Sequence, residues 1–339
     1  MPINTNPAAA PAASTRPGGS RQAWLDALRA LAMILVVMGH QMSGQPNFHL
    51  FTGPVKLPLF FAISGYLFNG HTRSTGDFAR GLIRRLVVPW LIATLGEIAI
   101  QIPFRGLGFV PAALRSVYTG ATLWYIPCLF FAEILFCITL RLCSKPLWVC
   151  AVAMAECLAG YALAQRHILD TLLVNTAMIA QFFLLIGWLF RRNEARLSAW
   201  HVGVAWGLLA AYCALGVVSM LLWPRRHIDV HMNRYGVFPY ALVMIAVGCA
   251  ALFLLFRRLK RVPSAAVCVG QNTLLIYLTH NYLISTLKKV YAKVGLHLPQ
   301  YTSAVLTTAL VCAICCLIAV PVNRWLPELV GRRRHRAQG

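Results

Sequence analysis

The feature that most limits this chain is a series of apolar segments, each about 20 residues long, beginning at Trp24. A helix of that length spans the hydrocarbon core of a bilayer. In lipid, only helices and closed barrels satisfy their own backbone hydrogen bonds. Ten such segments can be placed, at 24–43, 52–69, 82–102, 121–140, 146–164, 171–190, 201–222, 237–256, 267–287 and 303–326. The second is the weakest, because Lys56 and Pro58 stand near its start. Hydrophobic residues make up 59% of the chain and charged ones 12%, about half the charged share of a soluble domain. The expected fold is an all-α integral membrane protein, one bundle of about ten transmembrane helices with no internal repeat. Residues 1–23, rich in Pro, Ala, Ser, Thr and Gly, read as a disordered tail. Residues 24–326 form the transmembrane domain, and 327–339 a basic tail.

The charge is one-sided, with 31 Lys and Arg against 9 Asp and Glu and a net charge of +22. No nucleic-acid motif interrupts the apolar pattern, which argues against nucleic acid as a partner. The basic residues fall in short clusters between apolar segments instead. With the N-terminus inside, 20 of them lie on the inner side and 10 on the outer, and Arg29 falls within the first segment. That bias places both termini in the cytoplasm and the protein in the plasma (inner) membrane as a multi-pass chain. The outer loop 223–236 runs against the bias with Arg225, Arg226 and Arg234, which suggests that it has work of its own. The 11 cysteines lie mostly in apolar segments and have no His partners at zinc spacing, so no metal is expected.

Ionisable groups inside the bilayer cost at least about 2.5 kcal/mol each at a helix centre, so each one is a candidate functional group. The first segment, "WLDALRALAMILVVMGH", carries three of them. Arg29 and His40 are 11 residues apart, about three turns plus 20°, so they share a helix face about 16 Å apart along the axis. Asp26 lies close to that face, three residues from Arg29, at the spacing of a helical ion pair. The third segment has Arg84 and Arg85 at its inner end and Glu97 in its outer third. The ninth, "GQNTLLIYLTH", places His280 at nearly the depth of His40. Glu97, His40 and His280 are therefore expected to converge. Trp124 and Tyr125, in "TLWYIP", stand near the outer surface, as interfacial aromatics do. The outer loop adds "HIDVHMNRYG", whose Asp229, His231, Asn233 and Tyr235 suit a hydroxyl-rich ligand. In "LPLFFAISGYLF", Ser64 and Gly65 are small residues that let helices pack closely.

In this order, "LDALRALAMILVVMGH", "LPLFFAISGYLF", "RGLIRRLVVPW", "LWYIPCLFF" and "GQNTLLIYLTH" resemble the acyltransferase-3 family of integral membrane O-acyltransferases. The likeness runs from about residue 22 to 326. "IDVHMNRYG" is similar to the sugar-acetylating branch that includes fucose 4-O-acetylase-like and exopolysaccharide-modifying proteins. The resemblance implies acetyl-CoA as co-substrate, supplied from the cytoplasm, and no metal. The acceptor is a sugar hydroxyl on an extracytoplasmic or lipid-linked glycan. It also implies that Arg29 and His40 match the essential Arg and His of the first helix. Arg84 and Arg85 match the basic pair before the third-helix proline, here Pro89.

The expected roles follow. His40 is the base or a transient acetyl carrier. Arg29 with Arg84 or Arg85 holds the phosphates. Glu97 or His280 orients His40 or meets the acceptor. Trp124, Tyr125, Asp229, Asn233 and Tyr235 bind the acceptor. The main alternative is a transporter of a sugar or glycan intermediate. It lacks support from repeated halves or broken helices at matching positions.

Overall fold

The computed structural model describes residues 22–224, 226–326 and 328. Among them the chain is helices and turns, with one isolated bridge between Asp229 and Arg234. The helices are α1 (Ala23–Gly39), α2 (Pro46–Lys56), α3 (Pro58–Leu67), α4 (Thr75–Leu82), α5 (Val88–Arg105), α6 (Val110–Tyr118), α7 (Tyr125–Leu142) and α8 (Pro146–Gln165). They continue as α9 (Val174–Arg192), α10 (Glu194–Ser198), α11 (Val202–Leu222), α12 (Phe238–Arg257), α13 (Ser264–Gln271), α14 (Thr273–Lys293) and α15 (Gln300–Trp325). A π-helical turn, Ile83–Val87, joins α4 to α5. Residues 1–21 of the expected N-terminal tail, and all of the C-terminal tail except Glu328, lie outside the described residues.

Eight helices are long and apolar enough to cross a membrane: Pro46–Thr72, Thr75–Arg105, Tyr125–Leu142, Pro146–Gln165, Thr171–Arg192, Val202–Leu222, Phe238–Arg257 and Gln300–Trp325. The protein is therefore a multi-pass membrane protein. Two of the ten expected segments fall outside this set. α1 stops at 17 residues, and α14 carries Lys288, Lys289 and Lys293 towards its end.

α1 is the hub. Asp26 in its first turn complements the helix dipole, and α2, α3, α12, α13, α14 and α15 all pack on it. Phe61, Phe136, Phe183 and Phe253 fill the core beside it. α3 and α9 cross closely through paired glycines. A Cβ on Gly65 would strike the Leu184 backbone, and one on Gly187 would strike the Ala62 backbone. The "SG" of "AISGYL" is thus a packing device on α3, as its small residues imply.

Two segments that read as continuous are broken. Pro58 has no N–H to donate and splits the second into α2 and α3. The ninth splits at Asn272, whose side chain donates to Cys268 O (2.8 Å) while its own backbone leaves the helical region. Gly270 then lets α13 rest on the backbone of Asp26.

Polar contacts sort the helix ends into two faces. On one face, Arg191 Nη1 donates to Tyr66 Oη and to Glu194 Oε2 (both 3.1 Å), and Arg257 Nε donates to Glu194 Oε1 (2.8 Å). Arg257 also lies over the Trp24 ring. Arg141 donates to Thr75 Oγ1 (2.8 Å) and Arg73 O (2.9 Å). The start of α1 and the ends of α3, α7, α9 and α12 therefore share this face, the Arg face. On the opposite face, Gln300 Nε2 donates to Gln41 O and Ser43 O (both 3.2 Å). All 11 cysteines are free thiols, including Cys312 and Cys315, which are buried in α15 at C-x-x-C spacing.

Candidate active site

A cavity of about 810 Å³ runs beside α1 and is lined from Arg29 at one end to His40 at the other. It also follows Pro46–Thr72 from His49 to Gly70, so it reaches from one face of the bundle towards the other. Its two ends differ in chemistry.

The end at the Arg face is lined by Arg29, Arg73, Arg84, Arg85, Glu133 and Gln271. The π-turn explains how two adjacent arginines both reach it. Val88 N–H bonds Ile83 O, five residues back, so the turn is wider than an α-turn and successive side chains diverge less. The Arg85 guanidinium donates to Glu133 in a short ion pair. Glu133 is a buried carboxylate on α7, and Arg85 is 55% exposed into the cavity. Arg29 Nη1 donates to Asp26 Oδ1 (3.2 Å), and Gln271 Nε2 donates to the other oxygen of Asp26 (3.4 Å). Asp26 is buried to 1%. Each of the two arginines thus rests against a buried acid.

The opposite end is lined by rings. His40 caps the end of α1, and its ring centroid is 4.8 Å from that of His280 on α14. Trp124 stacks on His231 at 4.8 Å with 15° between planes. Tyr125 also lines the cavity, and its backbone N–H donates to Tyr277 Oη (3.1 Å). The loop 223–236 closes over this end with His227, Asp229 and His231. It is held by the paired backbone bonds of Asp229 and Arg234 (2.7 and 2.9 Å) and by His231 Nε2 donating to Gly120 O (2.7 Å). Lys56 and His49 on α2 complete the rim, with Nζ 3.4 Å from His49 Nδ1.

Of the residues singled out in the sequence, Arg29, His40, Arg84, Arg85, Trp124, Tyr125, Asp229 and His280 line this one cavity. Glu97, Asn233 and Tyr235 do not. Glu97 lies beyond the π-turn on α5, none of whose residues lines the cavity. It accepts from Gln101 Nε2 (3.4 Å) beside Tyr282. The expected convergence of Glu97 with the two histidines therefore does not occur. Asn233 is occupied as a brace: its Oδ1 accepts from Thr176 Oγ1 (3.0 Å), and it sits at φ 51°, which Asn tolerates. Tyr235 turns away to pack on Tyr161 and Phe238, and lines a separate small cavity.

Sequence reasoning passed over Glu133, His49, Lys56 and His227. For Glu133 the signal was present, a lone acid in the apolar run "FFAEILF". Among the described residues, no group of three or more His, Cys, Asp or Glu is arranged to hold a metal. A family model described as an acyltransferase domain matches residues 22–322. No curated protein and no solved structure matches the chain.

Proposed function

The chain belongs to the acyltransferase-3 family, and from that premise we propose that it is a membrane O-acetyltransferase. It moves an acetyl group from cytoplasmic acetyl-CoA to a sugar hydroxyl of an extracytoplasmic or lipid-linked glycan, such as an exopolysaccharide or lipopolysaccharide. The observation that carries this is the single cavity with arginines at one end and imidazoles at the other. The proposal includes ten spans, with α1 and α14 counted alongside the eight, both termini in the cytoplasm, and residence in the inner membrane. The branch is the one containing fucose 4-O-acetylase-like and exopolysaccharide-modifying proteins.

Each end has a task that its side chains suit. Arg29, Arg84 and Arg85 present planar forks to the CoA phosphates. The pantetheine arm follows α1 over the distance of about 16 Å from Arg29 to His40. The thioester then lies beside His40 and His280. Trp124, stacked on His231, offers an aromatic wall for a sugar ring, and Asp229 offers a hydroxyl acceptor. Asn233 and Tyr235 act on the acceptor indirectly, by shaping the loop that carries Asp229. Glu97 has no place in this route.

The family match favours acyl transfer over transport. The two helix breaks do not restore the transporter alternative. They fall in the second and ninth segments, whereas a repeat of two five-segment halves would pair the second with the seventh. The test is O-acetylation of surface glycans in cells with and without the protein, together with transfer of labelled acetyl from acetyl-CoA in membranes. Equal acetylation with wild type and His40→Ala would sink the proposal. A tag at residue 230 found in the cytoplasm would overturn the sidedness.

A further inference from the structure

We infer that His280, not His40, is the base of the transfer, and that His40 donates a hydrogen bond to the oxyanion. This rests on the acyl-transfer reading and divides its chemistry between two rings. His280 Nδ1 lies 3.0 Å from Ile276 O and 2.8 Å from Tyr277 O, so the Nδ1–H donates to carbonyls of its own helix. A neutral imidazole carries one proton, so Nε2 holds the lone pair. That Nε2 is buried without a partner, on a residue only 3% exposed whose side chain lines the cavity. An unmet buried acceptor favours any donor that can reach it. A reacting hydroxyl supplies the missing donor.

His227 also has a buried ring nitrogen without a partner, its Nδ1, but its ring lies against His49, 5.4 Å between centroids, and not against His40. The remaining two histidine rings at this end are placed differently. His49 Nε2 donates to Met42 O (3.1 Å), and its Nδ1 faces Lys56 Nζ. His231 is flat against Trp124, with Nε2 donating to Gly120 O. Lys56, Asp229 and His231 are the charged or titratable groups that act on His40 across the cavity, besides His280. His40 has no hydrogen-bond partner among the described residues to hold one tautomer, and His280 is the ring in contact with it. His40 can therefore turn an N–H towards the site, while His280 is fixed as an acceptor.

The step balances with the groups at hand. The acceptor hydroxyl gives its proton to His280 Nε2 as its oxygen bonds to the thioester carbonyl carbon. The carbonyl oxygen becomes an oxyanion and accepts a hydrogen bond from the His40 N–H. Collapse breaks the C–S bond, and the CoA thiolate receives the proton from His280 Nε2. The products are the acetyl ester and CoA thiol. While His280 is charged, its Nδ1–H bonds to Ile276 O and Tyr277 O strengthen, as charge-assisted bonds do. These carbonyls fill the orienting role that the third member of a catalytic triad plays.

The test uses the full chain in lipid nanodiscs. CoA thiol release from acetyl-CoA is measured with water alone and with methyl fucoside or methyl glucoside as acceptor probes. His280→Ala should lose about 10²–10⁴-fold in kcat with KM for acetyl-CoA unchanged. Added imidazoles should restore part of the loss, in proportion to their basicity. His280→Gln keeps a donor for the two carbonyls but lacks the base, so it should show the same kcat loss if the alanine variant does not fold. His40→Gln should retain more activity than His40→Ala, because an amide N–H can replace the ring N–H. Wild-type rates in His280→Ala, or rescue indifferent to imidazole basicity, would overturn the inference. So would an acetyl group trapped on His40. Wild type that releases no thiol under any condition would instead bring down the acyl-transfer reading itself.

Discussion

The two ends of the cavity hold comparable numbers of polar side chains but arrange them in opposite ways. At the Arg face, Arg29 and Arg85 each lean on a buried carboxylate, Asp26 or Glu133. At the other end, His280 and His231 spend their single protons on backbone carbonyls and leave lone pairs behind. Paired guanidiniums hold a constant charge in a constant place, which suits a phosphate that must be gripped and released unchanged. Rings with one nitrogen tied and one untied suit a proton that must arrive and leave. Under the proposed function, one end recognises and the other reacts.

Variants can break this contrast. The largest effect belongs to the ring end. His40→Ala should lower glycan O-acetylation, with a fall of about 10²–10³-fold in labelled acetyl transfer, the worth of one oxyanion donor, while the protein still inserts. An equal loss of acetyl-CoA affinity in that variant would blur the division. Next comes the arginine end. Arg85→Ala or Arg29→Lys should raise KM for acetyl-CoA by about 10–100-fold, the worth of a charged hydrogen bond, with a smaller change in kcat. Normal kinetics in Arg29→Lys would mark that pair as purely structural. Trp124→Ala should raise KM for the sugar acceptor by about tenfold at most and leave thiol release to water intact.

The contrast is sharpened by a stability asymmetry. Arg85→Ala strands the buried Glu133 carboxylate, whereas Glu133→Gln leaves a half-exposed guanidinium that water can solvate. The arginine variant should therefore melt at a lower temperature than the glutamate variant. The smallest effect on chemistry comes from Gly187→Ala. It should lower stability by about 1–3 kcal/mol through overpacking against Ala62, while the folded fraction keeps the kinetics of both ends.

Most of the architecture was legible because lipid leaves a chain few choices. Segment lengths alone located α7, α8, α9, α11 and α12, and the i, i+11 spacing put Arg29 and His40 along one cavity. The break at Pro58 was signalled by the proline. The break at Asn272 was not, since it depends on a side-chain bond to Cys268 and on the room that Gly270 gives beside Asp26. The π-turn was also hidden, because "IRRLV" fits an α-helix equally well. That hidden turn bears on Glu97, whose direction could not be judged from depth alone. Glu133 was missed for a different reason: its partner lies 48 residues away in sequence, and local spacing says nothing about such pairs. In the loop 223–236, composition drew attention to a polar segment but could not give the direction of each side chain. Asp229 and His231 face the cavity, while Asn233 and Tyr235 hold the loop in place.

The π-turn at Ile83–Val87 also behaves as a spacer of fixed count. Removing one residue from it would let the stretch close into regular α-helix. Five residues of a π-turn cover about the rotation and rise of four in an α-helix, so α5 would keep nearly its direction relative to α4. Arg84 and Arg85 would then point in more divergent directions, and only one could meet the cavity. Side-chain substitutions in this stretch test contacts. A single-residue deletion there tests arithmetic, because the arginine end is built on a helix that holds one residue more than its turns require.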